Sequence, residues 1–163
     1  VYARMDRTGD IYRIRRTQLT FAESAGLNTL LDRFVSPVVV ATLSQMRVTT
    51  VDGETTLRIE YENGDDNIGQ RWFRDENAVT RDEFTDAYLS IIALQFDQTA
   101  PQEAAGTSLL ADVTFTLRDG STSTVRYEAC DAFYALVTTD GGGRFLVRLT
   151  DVENMLTVLK GEK

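Results

Sequence analysis

The sequence contains no histidine and a single cysteine among its 163 residues. Without histidine, the chain cannot form a Ser-His-Asp or Cys-His catalytic arrangement, and it cannot hold a metal ion through imidazole. With one cysteine, it can form neither an internal disulfide nor a site of several thiolate ligands. The one thiol, Cys130, has no histidine to activate it, and we expect it to be structural.

Positive charge and long apolar runs are also scarce. The chain has 25 acidic and 17 basic residues and a net charge of −8, and a protein of this charge is poorly suited to bind the phosphates of a nucleic acid. No apolar run approaches the roughly 20 residues that a membrane span requires. The length and the hydrophobic content of 42% predict one globular domain with a substantial core.

Three segments have the apolar spacing of an amphipathic helix. The middle segment opens with Thr80 and Glu83, whose spacing predicts a capping box, and the last opens with Thr150 and Glu153 in the same relation. The first segment is less clearly marked, with Ser24 as its cap. The predicted buried stripes are Leu27, Leu30, Leu31 and Phe34 in the first segment, Phe84, Ala87, Tyr88 and Ile91 in the second, and Val152, Met155, Leu156 and Leu159 in the third.

The stretches between the predicted helices alternate apolar and polar residues around turns. Asp52-Gly53 and Asp119-Gly120 lie at the centres of two such stretches, and Asp-Gly is favoured where a tight β-hairpin needs a positive φ angle. Further hairpins are predicted around Thr8-Gly9-Asp10 and around the glycine run 141–143. A degenerate hairpin is predicted in residues 70–79, with its turn at Glu76-Asn77.

This order of elements predicts a repeated unit of hairpin, hairpin and helix, with Thr80 and Thr150 marking a period of 150 − 80 = 70 positions. The expected fold class is α+β: antiparallel β-hairpin sheets with a helix packed across each, in about two and a half repeats. The predicted single domain consists of a partial unit at 1–41, a middle unit at 42–98, a linker at 99–110 and a last unit at 111–163. Unrelated hairpins are the alternative.

The densest acidic stretch contains Glu60, Glu62, Asp65 and Asp66. Hard cations such as Ca²⁺ bind several carboxylate oxygens, so these residues are candidates for a metal site. The stretch lacks the DxDxDG spacing of a calcium loop, and a solvated hairpin loop is the favoured interpretation. The glycine run 141–143 lacks the Lys-Ser/Thr of a phosphate-binding loop and is interpreted as a hairpin tip. No catalytic residue and no cofactor are predicted.

Two groups of residues are candidates for binding a partner. Arg13, Arg15 and Arg16 form a basic cluster that could contact an acidic partner, although pairing with the chain's own carboxylates is the favoured interpretation. Trp72 and Phe73 would point to opposite faces of a strand, so at most one of them enters a one-sided core. We expect the first hairpin, residues 1–16, to lie at a sheet edge, where backbone groups can recruit another strand.

The stretch VYARMDRTGDIYRI, followed by an apolar segment that ends near Ser-Pro, resembles a bacterial family of domains of unknown function, numbered 4340. The later stretch FTLRDGSTSTVRYEACDAFYALV resembles the same family. The resemblance covers most of the chain and implies an N-terminal membrane segment, an extracytoplasmic repeat region and gene neighbours that encode ABC-transporter components of the gliding-motility type. Because the chain begins with Val1, we expect such a segment to precede it. The family offers no catalytic motif.

Two classes of function stay open. The first is a non-catalytic binding or scaffold module of a bacterial cell-envelope protein, extracytoplasmic and membrane-tethered in the full-length protein, with a protein partner in the envelope such as an ABC transporter. The second is a carboxylate- or metal-dependent enzyme that acts outside the cytoplasm, for which residues 60–67 offer the candidate ligands. A thermal shift with calcium that is lost on Asp65→Asn with Asp66→Asn would favour the second class. The oligomeric state is left open.

Overall fold

The structure, a computed structural model, describes residues 2–4, 11–13, 33–36, 38–61 and 69–161. Its contacts divide the chain into two compact units, Val1–Arg33 and Phe34–Lys163. In the first unit, strands β1 (Tyr2–Arg4) and β2 (Ile11–Arg13) pair antiparallel. The two strands of the predicted first hairpin are therefore confirmed, while its turn lies outside the described residues.

In the described part of the second unit, nine strands form one antiparallel sheet in the order β6-β5-β4-β3-β8-β9-β10-β11-β7. Two helices, α1 (Arg81–Ile92) and α2 (Leu149–Lys160), pack against each other. A short 3-10 helix, Val40–Thr42, leads into the sheet. The strands are β3 (Leu43–Thr50), β4 (Gly53–Tyr61), β5 (Gln70–Arg74), β6 (Asn77–Val79), β7 (Gln98–Thr99), β8 (Ser108–Leu117), β9 (Thr122–Ala129), β10 (Tyr134–Thr139) and β11 (Arg144–Arg148).

The predicted fold class, in which each of about two and a half repeats has its own sheet and helix, is wrong. β3 and β8, the first strands of the two predicted complete units, pair with each other and join all nine strands into one continuous sheet. Met46 and Phe115 lie opposite each other in this pairing, although 115 − 46 = 69 positions separate them. The glycine turns that suggested separate hairpin sheets are local signals, and they carry no information about a pairing between strands so far apart.

The hairpins predicted at the three glycine turns are confirmed. β3 pairs with β4 around Asp52-Gly53, β8 with β9 around Asp119-Gly120, and β10 with β11 around residues 140–143. Gly120 has a φ of 84°, a left-handed conformation that glycine adopts without steric cost. The degenerate hairpin also forms from β5 and β6. Its turn lies at Asp75 and Glu76, one position earlier than predicted.

One of the two predicted capping boxes is confirmed. At the start of α1, Thr80 Oγ1 accepts a hydrogen bond from the Glu83 backbone N–H at 3.2 Å, and the Glu83 carboxylate accepts one from the Thr80 N–H at 2.8 Å. The box predicted at Thr150 is wrong, because α2 begins at Leu149 and Arg148 makes no side-chain cap hydrogen bond. β11 runs directly into α2, so Thr150 already lies in the first helical turn.

The core lies between the two helices and one face of the sheet. The predicted stripes of α1 and α2 are confirmed: Leu156 is partly buried, and Phe84, Ala87, Tyr88, Ile91, Val152, Met155 and Leu159 are buried. The sheet contributes every second residue of its strands, among them Met46, Val48, Leu57, Ile59, Val113, Phe115, Val125, Tyr127, Val137 and Val147. This alternation is what a sheet with one buried face requires.

The first predicted helix falls mostly outside the described residues. Of its stripe, Phe34 is described, and it forms an isolated antiparallel bridge with Gln95. The Val35 backbone N–H donates to the carbonyl oxygen of Leu94 at 3.1 Å. Phe34 is therefore in extended backbone, where the prediction placed it in a helix, because backbone pairing with the segment after α1 fixes it.

The segment predicted to be a linker, 99–110, connects β7 at one edge of the sheet to β8 in its interior. Thr99 belongs to β7 at one edge of the sheet, and β8 begins at Ser108. Residues 100–107, here named the crossing segment, therefore have to pass β11, β10 and β9 to reach β8.

Neither α1 nor α2 has the length and apolar composition of a membrane-spanning helix, and no other helix in the described part of the chain does.

Candidate interaction surfaces

The face of the sheet opposite the helices, here named the open face, presents polar side chains in rows across the strands. Strand neighbours of buried residues point to this face, since successive side chains alternate. One row consists of Glu54, Thr49, Asp112, Arg126, Thr138 and Arg144. The adjacent row consists of Thr56, Arg47, Thr114 and Thr124.

Four of the charges in these rows form two ion pairs. Arg126 donates from Nε to Asp112 Oδ1 at 2.8 Å and from Nη2 to Oδ2 at 2.9 Å. These hydrogen bonds raise the pKa of Arg126. Arg47 Nε lies 3.4 Å from Glu54 Oε1 on the neighbouring strand. The open face is therefore polar but carries closely balanced charge at its centre.

A shallow concavity of about 550 Å³ lies on the open face beside the β10–β11 turn. Asp140 lies at the end of the concavity nearest this turn. Its Oδ2 accepts a hydrogen bond from the Thr124 backbone N–H at 2.9 Å. The lining residues are Asp112, Thr114, Thr124, Arg126, Glu128, Thr138, Thr139 and Asp140. Hydroxyl, carboxylate and guanidinium groups thus line this hollow, which suits polar contacts.

The crossing segment lies on the open face at its β9–β11 end. Arg144, which points to this face, donates from Nη1 to the Gln102 carbonyl oxygen at 3.2 Å and from Nη2 to that of Ala104. Leu136 and Leu146 also point to this face, yet they are 4% and 6% exposed. We infer that the crossing segment covers this apolar end, and that the described helices and strands leave the polar remainder uncovered.

Gly106 sets how closely the crossing segment approaches the sheet. A Cβ atom at Gly106 would lie 2.5 Å from the Cβ of Glu128, far inside van der Waals contact. Thr107 then joins the segment to β9, because its backbone N–H donates to the Ala129 carbonyl oxygen at 2.7 Å. Glycine is therefore required here by space.

Of the four candidate metal ligands, the structure describes Glu60. Its carboxylate accepts a hydrogen bond from Arg58 and lies 2.8 Å from Arg71 Nη2. The hydrogen bond from Arg58 is the largest cause of the lowered pKa of Glu60. Glu62, Asp65 and Asp66 lie outside the described residues. Within the described ranges, no group of three or more His, Cys, Asp or Glu side chains is placed to hold a metal ion.

The aromatic pair on β5 divides between the two faces of the sheet. Trp72 lies on the helix side, where its ring centroid is 4.7 Å from that of Phe84. Phe73 lies opposite Arg58 in the pairing of β4 with β5, and the Arg58 guanidinium sits 4.4 Å from its ring centroid. Phe73 therefore belongs to the open face and Trp72 to the core.

The predicted basic cluster is only partly placed. Arg13 lies on β2, where its backbone pairs opposite Tyr2, while Arg15 and Arg16 lie outside the described residues. β1 and β2 form a sheet of two strands in the described part of their unit. Partner binding by these arginines stays a prediction.

A second surface lies on the outer side of the helix pair. Leu89 of α1 is 45% exposed and Val158 of α2 is 39% exposed. Two hollows, of about 390 and about 380 Å³, flank these two side chains, and both hollows are lined by Leu89 and Val158. We name these two residues the ridge. Because contiguous exposed apolar surface rimmed by polar residues marks contact surfaces, the ridge is a candidate for one.

Sequence reasoning missed both the Asp112–Arg126 pair and the ridge. The pair could have been found, because a hairpin centred on Asp119-Gly120 places residues 112 and 126 opposite each other. Leu89 also carried a signal, since it is apolar but lies outside the buried stripe of its helix. The closeness of Val158 to Leu89 had no sequence signal, because it depends on how the two helices pack.

No family model, curated protein or solved structure matches the chain. The resemblance to the family numbered 4340 therefore stays a prediction.

Proposed function

We propose that this chain is a non-catalytic binding or scaffold module of a bacterial cell-envelope protein, held outside the cytoplasm by a membrane segment of the full-length protein. The resemblance of its Tyr-rich and Asp-Gly-containing stretches to the family numbered 4340 supports this envelope setting. It also makes an ABC-transporter component the first partner to test.

The open face is the observation that carries the proposal. Its long central strands, β3, β4, β8 and β9, expose threonine hydroxyls together with the Arg126–Asp112 and Arg47–Glu54 ion pairs. A charge that keeps its partner costs less to bury in an interface than a lone charge. A partner can therefore cover this face while the face supplies hydrogen bonds, and no helix of the described chain competes for it.

Among the described residues, the pKa shifts single out no carboxyl group as a general acid. Each of these shifts has a structural cause, namely an ion pair, a turn hydrogen bond or burial. Both shifted carboxyl groups, Glu60 and Asp119, have lowered pKa values, whereas a general acid needs a raised one. The groups with shifted pKa values are Glu60, Tyr88, Asp119, Arg126, Tyr127 and Arg148.

Photo-crosslinking in living bacteria tests the proposal. A photoreactive amino acid is placed at Thr114 or Thr124 of the open face in the full-length protein, and at Val51 as a control. Val51 is 80% exposed in the β3–β4 turn, so it reports collisions that depend on exposure alone. We expect one adduct with an envelope protein from the two open-face positions and no such adduct from Val51.

A charge exchange then tests whether the open face itself is recognised. Asp112→Arg with Arg126→Asp retains an ion pair across β8 and β9 but reverses the charge pattern that a partner meets. We expect unchanged circular dichroism and loss of the adduct. No adduct, the same adduct from Val51, or an adduct that survives the exchange would contradict the proposal.

A further inference from the structure

We propose that the ridge and its two hollows bind a basic amphipathic helix of a protein partner. This surface lies on the helix side of the sheet and is separate from the open face. The proposal therefore does not depend on the function proposed above, and each can fail without the other.

The ridge and its two hollows lie between α1 and α2, where a third helix can pack against both helices. The residues that line the hollows include Asp86, Leu89 and Ser90 of α1 and Ala93 directly after it, and Asp151, Asn154, Met155 and Val158 of α2. Both sets follow the spacing i, i+3, i+4, i+7, which is one continuous stripe on a helix surface. Two such stripes side by side form a groove about two helical turns long, or about 11 Å.

The chemistry of the groove selects the partner. Leu89 and Val158 supply an apolar floor, and Ala93 adds exposed apolar surface in one hollow. An amphipathic helix would place its apolar residues on this floor, as helix-in-groove complexes do.

Carboxylates surround this apolar floor. Glu83 and Asp86 line one hollow and Asp151 lines the other, whereas Arg74 is the one basic residue among the described lining residues. The chain as a whole has a net charge of −8, which attracts a positive partner and repels a negative one. The flanks of the bound helix are therefore expected to carry Lys or Arg.

A pair of synthetic peptides tests this inference. Each peptide has about 14 residues, long enough to fill the groove, with leucines at i, i+3, i+4 and i+7 and alanines elsewhere. The first carries lysines beside the leucines, and the second carries glutamates at the same positions. We expect the lysine peptide to bind the whole chain at least about tenfold more tightly at low salt, as measured by fluorescence anisotropy, because charge complementarity discriminates between partners.

Variants of the ridge separate this site from general attraction to an acidic protein. Leu89→Ser and Val158→Ser are each expected to weaken binding of the lysine peptide by about tenfold, as truncation of a central apolar anchor does. The matched control Val51→Ser removes another exposed apolar side chain and is expected to leave binding unchanged. Circular dichroism checks that the exposed substitutions preserve the fold.

Other occupants of the ridge would be seen in the same variants. Self-association measured by analytical ultracentrifugation and abolished by Leu89→Ser would assign the ridge to a second copy of the chain. Binding to vesicles with anionic lipid, also lost in Leu89→Ser, would assign it to a membrane surface. Either result would overturn the inference, as would equal binding of the two peptides, no saturable binding, or binding that the ridge variants do not change.

Discussion

Arg126 and Asp112 share two parallel hydrogen bonds, 2.8 and 2.9 Å long, across β8 and β9 at the centre of the open face. Both side chains are partly exposed, at 53% and 26%, so solvent weakens their attraction. We expect Arg126→Ala and Asp112→Ala each to lower the melting temperature slightly. In a double-mutant cycle, the coupling should be favourable at low salt and smaller at about 1 M salt, where charges are strongly screened. A coupling that does not change with salt would contradict this account of the pair.

Tyr127 and Tyr88 are both buried, and we expect removal of their hydroxyl groups to have opposite effects on stability. The Tyr127 hydroxyl is buried without a hydrogen-bond partner among the described residues, whereas the Tyr88 hydroxyl donates to the Val38 carbonyl oxygen. Tyr127→Phe should therefore leave the free energy of unfolding unchanged or raise it by up to about 1 kcal/mol, and Tyr88→Phe should lower it by about 1 kcal/mol. Urea denaturation of both variants measures the contrast, and an equal loss in both would refute it.

The burial of Tyr127 also predicts how the stability of the protein changes at high pH. Burial raises the pKa of Tyr127 above its usual value of 10.0, because the phenolate would lose its water. The folded protein then keeps a proton that the unfolded chain releases, so stability falls as the pH rises above 10. Tyr127→Phe should show a shallower fall than the wild type in the same alkaline range. Parallel profiles for the two proteins would count against a buried Tyr127.

Gly106 and Gly141 test the close approach of the crossing segment. A Cβ at Gly106 would lie 2.5 Å from the Cβ of Glu128, whereas a Cβ at Gly141 meets no atom nearer than 3.9 Å. Gly106→Ala should therefore destabilise the protein by about 1–3 kcal/mol through overpacking. Gly141→Ala should have an effect of less than about 1 kcal/mol. Similar melting temperatures for the two variants would show that the crossing segment is not held against β9.

Thr80 and Thr150 separate a true helix cap from a sequence pattern that resembles one. Thr80 caps α1 with both hydrogen bonds of a capping box, whereas Thr150 lies inside the first turn of α2. Thr80→Ala should cost about 1 kcal/mol in the free energy of unfolding. Thr150→Ala should cost less than about 0.5 kcal/mol, because it removes no cap. If Thr150→Ala lowered the free energy of unfolding as much as Thr80→Ala, Thr150 would act as the cap that the sequence predicted.

These two threonines also show where sequence reasoning succeeds. Apolar spacing and Asp-Gly turns act over a few residues, and they correctly predicted the buried stripes of α1 and α2 and the hairpins at Gly53 and Gly120. The pattern at Thr150 failed because it does not report that β11 continues directly into the helix. Local chemistry thus predicts elements well and their junctions less well.

Long-range relationships account for what the sequence did not predict. The pairing of Met46 with Phe115 joins the two halves of the sheet, yet nothing at either residue distinguishes a central strand from an edge strand. The ridge depends on the packing of Leu89 beside Val158, and the cover over Leu136 depends on the path of the crossing segment. Each of these relationships depends on residues far apart in the sequence. A prediction of separate sheets, each with its own helix, could therefore find neither the open face nor the ridge.

Hydrogen exchange followed by NMR tests the central claim, one continuous sheet joined through β3 and β8, most directly. Every backbone amide from Gln45 to Thr49 and from Asp112 to Thr116 points to a hydrogen-bonded neighbour strand in this arrangement. We therefore predict uniformly slow exchange along both stretches, among the slowest in the chain. If β3 and β8 were instead edges of separate sheets, alternate amides would face solvent. Fast exchange at every second residue of both stretches would contradict the continuous sheet and, with it, the open face.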